Sequence, residues 1–401
     1  MDALLPDEIG AVRESFIRFM TDEVVPVMPD YEKRGEFPRD LVAKMGAGGF
    51  FGPVFPESLG GSDMGFLAMT VICEELARLD SSLAFCYNQQ GMTCPYSIYV
   101  GGTDAQCATY IPNLLAGKTV GMWSLTEPGG GSDAAGNMKT VARRDGDVYK
   151  LTGSKMFATL ANETDVGVLF AKTDPEAGHK GVSAFIVEPK KYPGWTADPV
   201  DFVGLSKSFR SCAVFLEDFV VPVENRIGAE GKGFAVAMHA VQAGRVSVAA
   251  RGIGIARACI ELAADYAKER MVRGSALATY QMVQADIADC VTLVEAARAL
   301  TYESARAMDA DLPANRLSSQ AKYAAGLAVQ QAAAKMSEIF GGYGLAEEYP
   351  ISSLASYARL FNIGEGAPAV QRILIAEDFL GIKNADRHPT SYRHPRGKPA
   401  A

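Results

Sequence analysis

Glu365 stands between Gly364 and Gly366 in the stretch LFNIGEGAPAVQRILIAEDFLG, with apolar or small residues on both sides. A carboxylate stripped of side-chain neighbours can be desolvated by a ligand edge that approaches across the glycines. Its pKa then rises, and it becomes a competent base near neutral pH. The plainer alternative is a solvated glutamate in a turn, or one that caps the following helix through the N-terminal dipole. That helix is signalled by Val370, Ile373, Leu374 and Leu380 at helical spacing.

A second stretch with chemical potential is WSLTEPGGGSDAAG, Trp123 to Gly136, where three consecutive glycines accompany Thr126, Ser132 and Asp133. Such backbone can lie against a flat cofactor or a phosphate while hydroxyls supply directed hydrogen bonds. A loose loop is the alternative. Other motifs carry less. GIGIAR at Gly252 lacks the third glycine and the preceding strand of a dinucleotide fingerprint, so it reads as helix packing. GAEGKGF at Gly228 has the wrong spacing for a phosphate loop, and no Ser or Thr follows the Lys. There is no G-x-S-x-G elbow. The four histidines offer no metal-ligand spacing outside the tail, so no metal site is expected.

Three patterned regions must position these residues. From Pro6 to about Leu115 the period is helical, as in DEIGAVRESFIRFMTDEVVP and FLAMTVICEELARLDSS. From Gly121 to about Val223 the period is two: DVYKLTGSKMFAT, VGVLFAKT, GVSAFIVEP and CAVFLEDFVVP read as strands, and RRDGDVYKL as a hairpin turning at Asp145-Gly146. From Phe234 the chain is helical again and alanine-rich, suited to a closely packed bundle. There Ile287, Cys290, Val291 and Val294 form one expected stripe. The expected class is mainly α with a central antiparallel β domain. Expected boundaries are 1–120, 121–233 and 234–383, with a basic, Pro- and Gly-rich tail over 384–401 that reads as solvated or as an arm on a neighbouring subunit.

The chain has 401 residues, a formal net charge of −8 and 48% hydrophobic residues. The acidic balance argues against a nucleic-acid partner. No apolar run approaches the roughly twenty residues of a membrane span. The start is acidic and does not read as a signal peptide. Seven cysteines without a C-x-x-C pair fit reduced, buried thiols, and hence a cytoplasmic protein.

LTEPGGGSD followed by LTGSKMFAT, then AGRVSVAARGIGIARACIELAADYAKER, IFGGYGLAEEYP and GEGAPAVQRILIA together resemble the acyl-CoA dehydrogenases. The motifs keep that family's order and spacing over roughly residues 6 to 383. The resemblance implies a helical domain, a β domain and a C-terminal four-helix bundle, assembled as a homotetramer. It also implies FAD as cofactor, an acyl-CoA substrate and an electron-transfer flavoprotein as electron acceptor. By the same resemblance Glu365 is the catalytic base. It takes the α-proton of the thioester while hydride leaves the β-carbon for flavin N5. The thioester oxygen is polarised by the Glu365 backbone N–H and a ribityl hydroxyl, an oxyanion-hole arrangement.

Other roles are implied residue by residue. Leu125 and Thr126 meet the flavin edge, Phe157 its face, and Thr159 bonds near N5. Arg270, Gln281, Glu338, Gly341 and Gly342 reach FAD across a subunit boundary, and Ala367 and Ala369 follow the base along the cofactor. Ser132, Gln242, Arg245, Gly364 and Gly366 hold the substrate. The position before Arg245, where some relatives place their base, is Gly244. Departures from the family pattern are Gly364 for an aromatic, Ala367 for Thr, Phe157 for Trp, Arg273 for Phe, Glu338 for Gln and Tyr357 for an acid. Glu338 and Arg273, both unusual, form a candidate pair, within or across subunits. Gly364 and Ala367 enlarge the acyl pocket, which suggests a branched, cyclic or aryl-bearing acyl group. The alternatives are an oxidase or monooxygenase on the same fold, and a silent scaffold, against which retention of Glu365 argues.

Overall fold

The computed structural model describes residues 5–381; the expected tail lies outside them. Seven helices come first: α1 (Asp7–Phe19), α2 (Met28–Arg34), α3 (Arg39–Ala47), α4 (Gly65–Leu79), α5 (Ser81–Tyr87), α6 (Cys94–Gly101) and α7 (Asp104–Leu115). The central helix α4 is buried from Gly65 to Ala77, which its nearly unbroken apolar sequence requires. Its two internal carboxylates, Glu74 and Glu75, are buried and answered from four directions. Arg298 donates to Glu74 at 2.9 Å and Tyr302 at 2.8 Å, Arg257 pairs with both, and Arg13 and Arg78 reach Glu75 at 2.7 and 2.6 Å. Breaking such a set from one side leaves a buried charge unpaired, a cost of about 3–5 kcal/mol.

Eight strands form the middle layer: β1 (Gly121–Ser124), β2 (Val141–Asp145), β3 (Val148–Thr159), β4 (Val166–Lys172), β5 (Val182–Val187), β6 (Trp195–Val200), β7 (Ser211–Pro222) and β8 (Arg226–Ile227). Their order is β6-β7-β3-β2-β4-β5-β8, with β1 beside β4. Pairing is antiparallel except at β1–β4 and at the single β2–β4 contact. The expected hairpin exists with its turn one residue later. Asp145 pairs with Val148, so Gly146 and Asp147 make the bend, and Gly146 takes the positive φ of 60° that it needs.

The C-terminal part holds α8 (Gly233–Glu269), the short β9 (Met271–Val272) and β10 (Ser275–Ala276), then α9 (Gln281–Asp309), α10 (Asn315–Phe340), α11 (Ile351–Ile363) and α12 (Pro368–Leu380). At 37 residues, α8 spans about 55 Å. GIGIAR lies inside it as helix packing: a methyl group at Gly254 would come within 2.2 Å of the Glu74 carbonyl oxygen on α4. The stripe expected on α9 holds at Cys290 and Val294, which are buried, and fails at Val291, which is exposed. The apolar side of α12 is exposed at Ile373, Phe379 and Leu380; only Gln371 on that helix is buried. All seven cysteines are free and buried. No helix among the described residues is long and apolar enough to cross a membrane.

Candidate active site

Glu365 sits in the turn between α11 and α12 with φ +56°, a left-handed conformation uncommon for a residue with a side chain. The turn is pinned by Gln371, whose buried Nε2 donates to the carbonyls of Glu365 at 3.3 Å and Gly366 at 3.0 Å. Gly366 has φ +101°, and a Cβ there would come within 2.4 Å of that Nε2. No other residue type fits without moving Gln371. The side chain of Glu365 therefore points where the turn aims it, into the packed junction of α8, α10 and the α5–α6 connection.

Three features of that junction bear on its chemistry. Asn88 donates from Nδ2 to Glu365 Oε1 at 2.9 Å. Gly244 on α8 faces the carboxylate; a methyl there would stand 3.1 Å from its carbon and from Oε2. The cations Arg245 and Arg251 of α8 and Lys322 of α10 surround it. Desolvation raises the Glu365 carboxyl above its ordinary range, while the Asn88 hydrogen bond and then the charges of Arg251, Arg245 and Lys322 act against that rise. The cations are themselves desolvated: Arg245 is lowered to about 10 and Lys322 to about 8. Arg251 donates to the Ala84 carbonyl at 2.7 Å and lies 5.1 Å from the Phe361 ring, and Lys322 donates to the Asn362 carbonyl at 2.7 Å. Arg245 has one long contact, 3.4 Å to Ser319, and its Nε is buried without a partner. Gln242 is half-buried one turn earlier on α8.

Beside the turn there is room. A Cβ at Gly364 would meet nothing but the Leu360 carbonyl oxygen, at 3.3 Å. Phe361 and Tyr357 do not refill the space. Phe361 is buried beneath Arg251, and Tyr357 is occupied with the Ser206 N–H at 2.8 Å. Ala367 caps α12, and Ala369 is exposed on its first turn.

On the sheet, the β3–β7 register shifts between Lys155 and Ala158. The irregularity gives Phe157 φ +59° and turns its ring out of the sheet, 53% exposed and 5.9 Å from the Phe202 ring. Thr159, at the end of β3, is buried and shares a 2.7 Å hydrogen bond with Ser211. Leu125 and Thr126 are held against this strand: Lys155 donates to the Leu125 carbonyl at 3.3 Å and Met156 N–H to that of Thr126 at 2.8 Å. Lys155 also pairs with buried Glu127 at 2.7 Å, and burial lowers its pKa to about 8. Beyond them Gly129 has open space on its Cβ side, and Ser132 is exposed.

The remaining candidates gather elsewhere. Arg270 follows α8, Gln281 opens α9, and Glu338, Gly341 and Gly342 close α10. All are exposed, and the two glycines have no neighbouring atoms on their Cβ sides. Arg270 lies 6.0 Å from the Tyr343 ring. Twenty-five residues of α8 separate Arg245 from Arg270, about 37 Å. The two clusters cannot meet one small molecule within a single chain. The expected Glu338–Arg273 pair does not form within the chain. Glu338 lies 3.6 Å from Lys335, an i,i+3 neighbour that the helix already supplies.

Family models describe the same division. Residues 6–118 match the acyl-CoA dehydrogenase N-terminal domain, 123–219 the middle domain and 231–380 the C-terminal domain. A glutaryl-CoA dehydrogenase of Desulfococcus multivorans is 36% identical over 391 residues, covering 96% of this chain and all of that protein. The caffeyl-CoA reductase-Etf complex subunit CarC of Acetobacterium woodii is 36% identical over 357 residues, 88% of this chain and 93% of that one. A solved structure of a glutaryl-CoA dehydrogenase from Mycobacterium smegmatis in complex with FADH2 superposes with a TM-score of 0.88 at 25% identity, covering 96% and 98% of the two chains. The chain belongs to the acyl-CoA dehydrogenase family: it is an FAD-dependent oxidoreductase of acyl-CoA thioesters.

The residues present fit a flat cofactor. Phe157 offers an exposed ring face beside open glycine backbone, and Thr159 keeps hydrogen-bonding capacity beyond its bond to Ser211. Ser211, Asn88, Arg251 and Lys322 escape a reading of the sequence alone. A signal exists for two of them: Arg251 interrupts the small-residue run VSVAARGIGIA, and Asn88 follows the apolar LAFCY. A polar group embedded in such runs is buried at a cost unless partnered, so its partner is worth seeking.

Proposed function

We infer that Glu365 is the general base that removes the α-proton of a bound acyl thioester. The observation that carries this is one carboxylate held in a left-handed turn, desolvated, and faced by glycine at residue 244. Gly244 leaves approach to the carboxylate open and supplies no second acid. Arg251, Arg245 and Lys322 keep the carboxylate ionised, as a base must be, while burial keeps it more basic than a solvated glutamate. The Glu365 backbone N–H polarises the thioester oxygen. Ser132 and Gln242 are read as CoA contacts, and buried Arg245 as a contact at the thioester end. Leu125, Thr126, Phe157, Thr159, Ala367 and Ala369 hold FAD, which when bound supplies the acceptor for the β-hydride.

Arg270, Gln281, Glu338, Gly341 and Gly342 serve the FAD of a neighbouring subunit in a homotetramer. The separation of Arg270 from Arg245, about 37 Å along α8, and the exposed Ile373, Phe379 and Leu380 of α12 support that assembly. An electron-transfer flavoprotein is the proposed acceptor, as the name of the Acetobacterium woodii complex suggests. The proposed acyl group is bulky near its α- and β-carbons, because the space at Gly364 is open and neither Phe361 nor Tyr357 fills it. A relative named for a caffeyl thioester, which bears an aryl group, supports the same class. Turnover of FAD-loaded enzyme against straight, branched and aryl-bearing acyl-CoA thioesters tests this; preference for straight chains overturns the bulky-substrate reading. Peroxide formed without another acceptor would assign an oxidase instead.

A further inference from the structure

Behind Glu365 runs a chain of buried hydrogen bonds that the reaction does not need for binding FAD or CoA. Asn88 donates to Glu365 Oε1 at 2.9 Å, and Ser247 Oγ donates to Asn88 Oδ1 at 2.6 Å. The thiol of Cys73 lies 3.2 Å from Ser247 Oγ. Asn88, Ser247 and Cys73 are all buried, and they come from three elements: the α5–α6 connection, α8 and α4.

The direction of this chain is set from its Glu365 end. An ionised carboxylate only accepts, so Asn88 turns its NH2 to Glu365 and its Oδ1 accepts from Ser247, while the Cys73 thiol stands within reach of both Ser247 Oγ and Met69 Sδ. Burial pushes that thiol up to about 11, so it carries its proton at neutral pH. With its NH2 on Glu365 and its Oδ1 on Ser247, a flip of the Asn88 amide would turn an acceptor toward the ionised carboxylate, which has no proton to give it. An amide donor stabilises a carboxylate and has no acceptor to offer a carboxylic acid proton. The backbone adds a second constraint. Asn88 opens a π-helical turn, Asn88–Thr93, held in part by the Thr93 hydroxyl donating to the Asn88 carbonyl at 3.0 Å. Single π turns recur at functional sites because they re-aim one side chain.

We propose that Asn88, locked by Ser247 and Cys73, is the positioning residue that holds Glu365 ionised and aimed at the substrate α-carbon. This rests on the reading of Glu365 as the base. The other groups facing Glu365 are Arg245 and Arg251 on α8 and Lys322 on α10. None of them is hydrogen-bonded to the carboxylate, so they act by charge, while Asn88 acts by direction and charge together. Tyr87, which donates to the Phe50 carbonyl at 2.9 Å, and Cys73 lie behind the relay and stay neutral.

The test uses the FAD-loaded enzyme. Two readouts are compared across pH: kcat/KM, and wash-out of deuterium from the α-carbon of an acyl-CoA thioester without an electron acceptor. Asn88→Leu removes the donor at similar size. It should move the acidic limb of both profiles upward by about one pH unit. Ser247→Ala, which touches neither substrate nor base, should move the limb the same way by less, with the high-pH plateau within a few-fold of wild type. Cys73→Ser keeps a donor and should leave the limb in place. A limb unmoved in both Asn88→Leu and Ser247→Ala overturns the proposal, as does a drop in plateau alone, which is what loosened packing would give. Ser247→Ala decides the matter if Asn88→Leu does not fold. Glu365→Gln separates the two readings: if it still washes out the deuterium, the base assignment fails, and the relay is then not what is at fault.

Discussion

Two clusters of candidate residues differ in how far one chain completes them. Around Glu365 the structure is closed. The turn is strained but pinned by Gln371, the carboxylate has a hydrogen-bond donor, and Arg251 and Lys322 each have a carbonyl to bond. Around Arg270, Gln281, Glu338, Gly341 and Gly342 everything is open: the side chains are exposed and the glycine backbone faces empty space. A desolvated base needs the first kind of environment, since only a preorganised surround can raise its pKa and still keep it ionised. A site that grips a ligand shared with another subunit needs the second. On the function proposed above, the contrast is that between a catalytic centre built by intrachain packing and a binding surface finished by association.

The largest effect should come from breaking the closed cluster at its centre. Glu365→Gln keeps the shape and removes the basicity. It should lower kcat/KM on the order of 10²–10⁴-fold or more, with thermal stability and FAD content near wild type. Turnover within a few-fold of wild type would falsify the assignment. The pH dependence follows in sign. The base works when deprotonated, and burial raises its pKa, so activity should rise with pH through a limb above the ordinary carboxylate range.

Arg270→Ala breaks the open cluster instead. Loss of a charge-assisted hydrogen bond should cost about 1.5–3 kcal/mol of FAD affinity. The acidic limb should stay where it is in whatever enzyme remains loaded, because Arg245, beside Glu365, is about 37 Å from Arg270 along α8. A limb that shifted with Arg270→Ala would join the two clusters and defeat the contrast. Titration of apoprotein with FAD, followed by a pH profile at saturating cofactor, reads both.

Gly364→Tyr sharpens the closed cluster by filling its open side. Overpacking of a fitted pocket costs about 1–3 kcal/mol. The loss should fall on kcat/KM for a bulky thioester far more than for a short linear one. Equal losses on both substrates would remove the enlarged pocket from consideration.

The sequence exposes these clusters unequally. Glu365 between two glycines is visible because the anomaly is local: a charge where its neighbours have no side chains. The three-region layout is visible because period changes along the chain. The partners of Glu365 are not, since positions 88, 247, 251 and 322 meet only after α8, α10 and the α5–α6 connection pack. Phe157 illustrates an intermediate case. Its strand is legible, but the register shift that turns the ring outward depends on β7, whose Cys212 and Val214 pair with Ala158 and Lys155 across the shift. The helix expected from the spacing of Val370, Ile373, Leu374 and Leu380 forms as α12. Among the described residues nothing covers Ile373, Phe379 and Leu380, because amphipathic spacing says that a face is to be buried and not by which molecule.

The smallest effect is expected at Glu338, where the open cluster carries its one carboxylate. Its only ionic neighbour among the described residues is Lys335 at 3.6 Å, and Glu338 is 67% exposed. An exposed i,i+3 pair is worth about 0.2–1 kcal/mol, so Glu338→Gln should shift the melting temperature of the apoprotein very little. FAD retention is the more telling measurement. If Glu338 stood alone near a phosphate, its neutralisation would tighten binding. If it answers Arg273 of a neighbouring subunit, neutralisation frees an arginine and weakens binding. Arg273 is exposed in a left-handed turn, φ +49°, and makes no ion pair with Glu338 in its own chain, so the pairing these variants test is the one between subunits. We expect Glu338→Gln and Arg273→Phe each to weaken FAD retention a few-fold. The double variant should be no worse than the poorer single one, because a pair broken from either side costs more than a pair removed. Strictly additive losses would show the two residues acting apart, and tighter binding in Glu338→Gln would show the carboxylate repelling the cofactor.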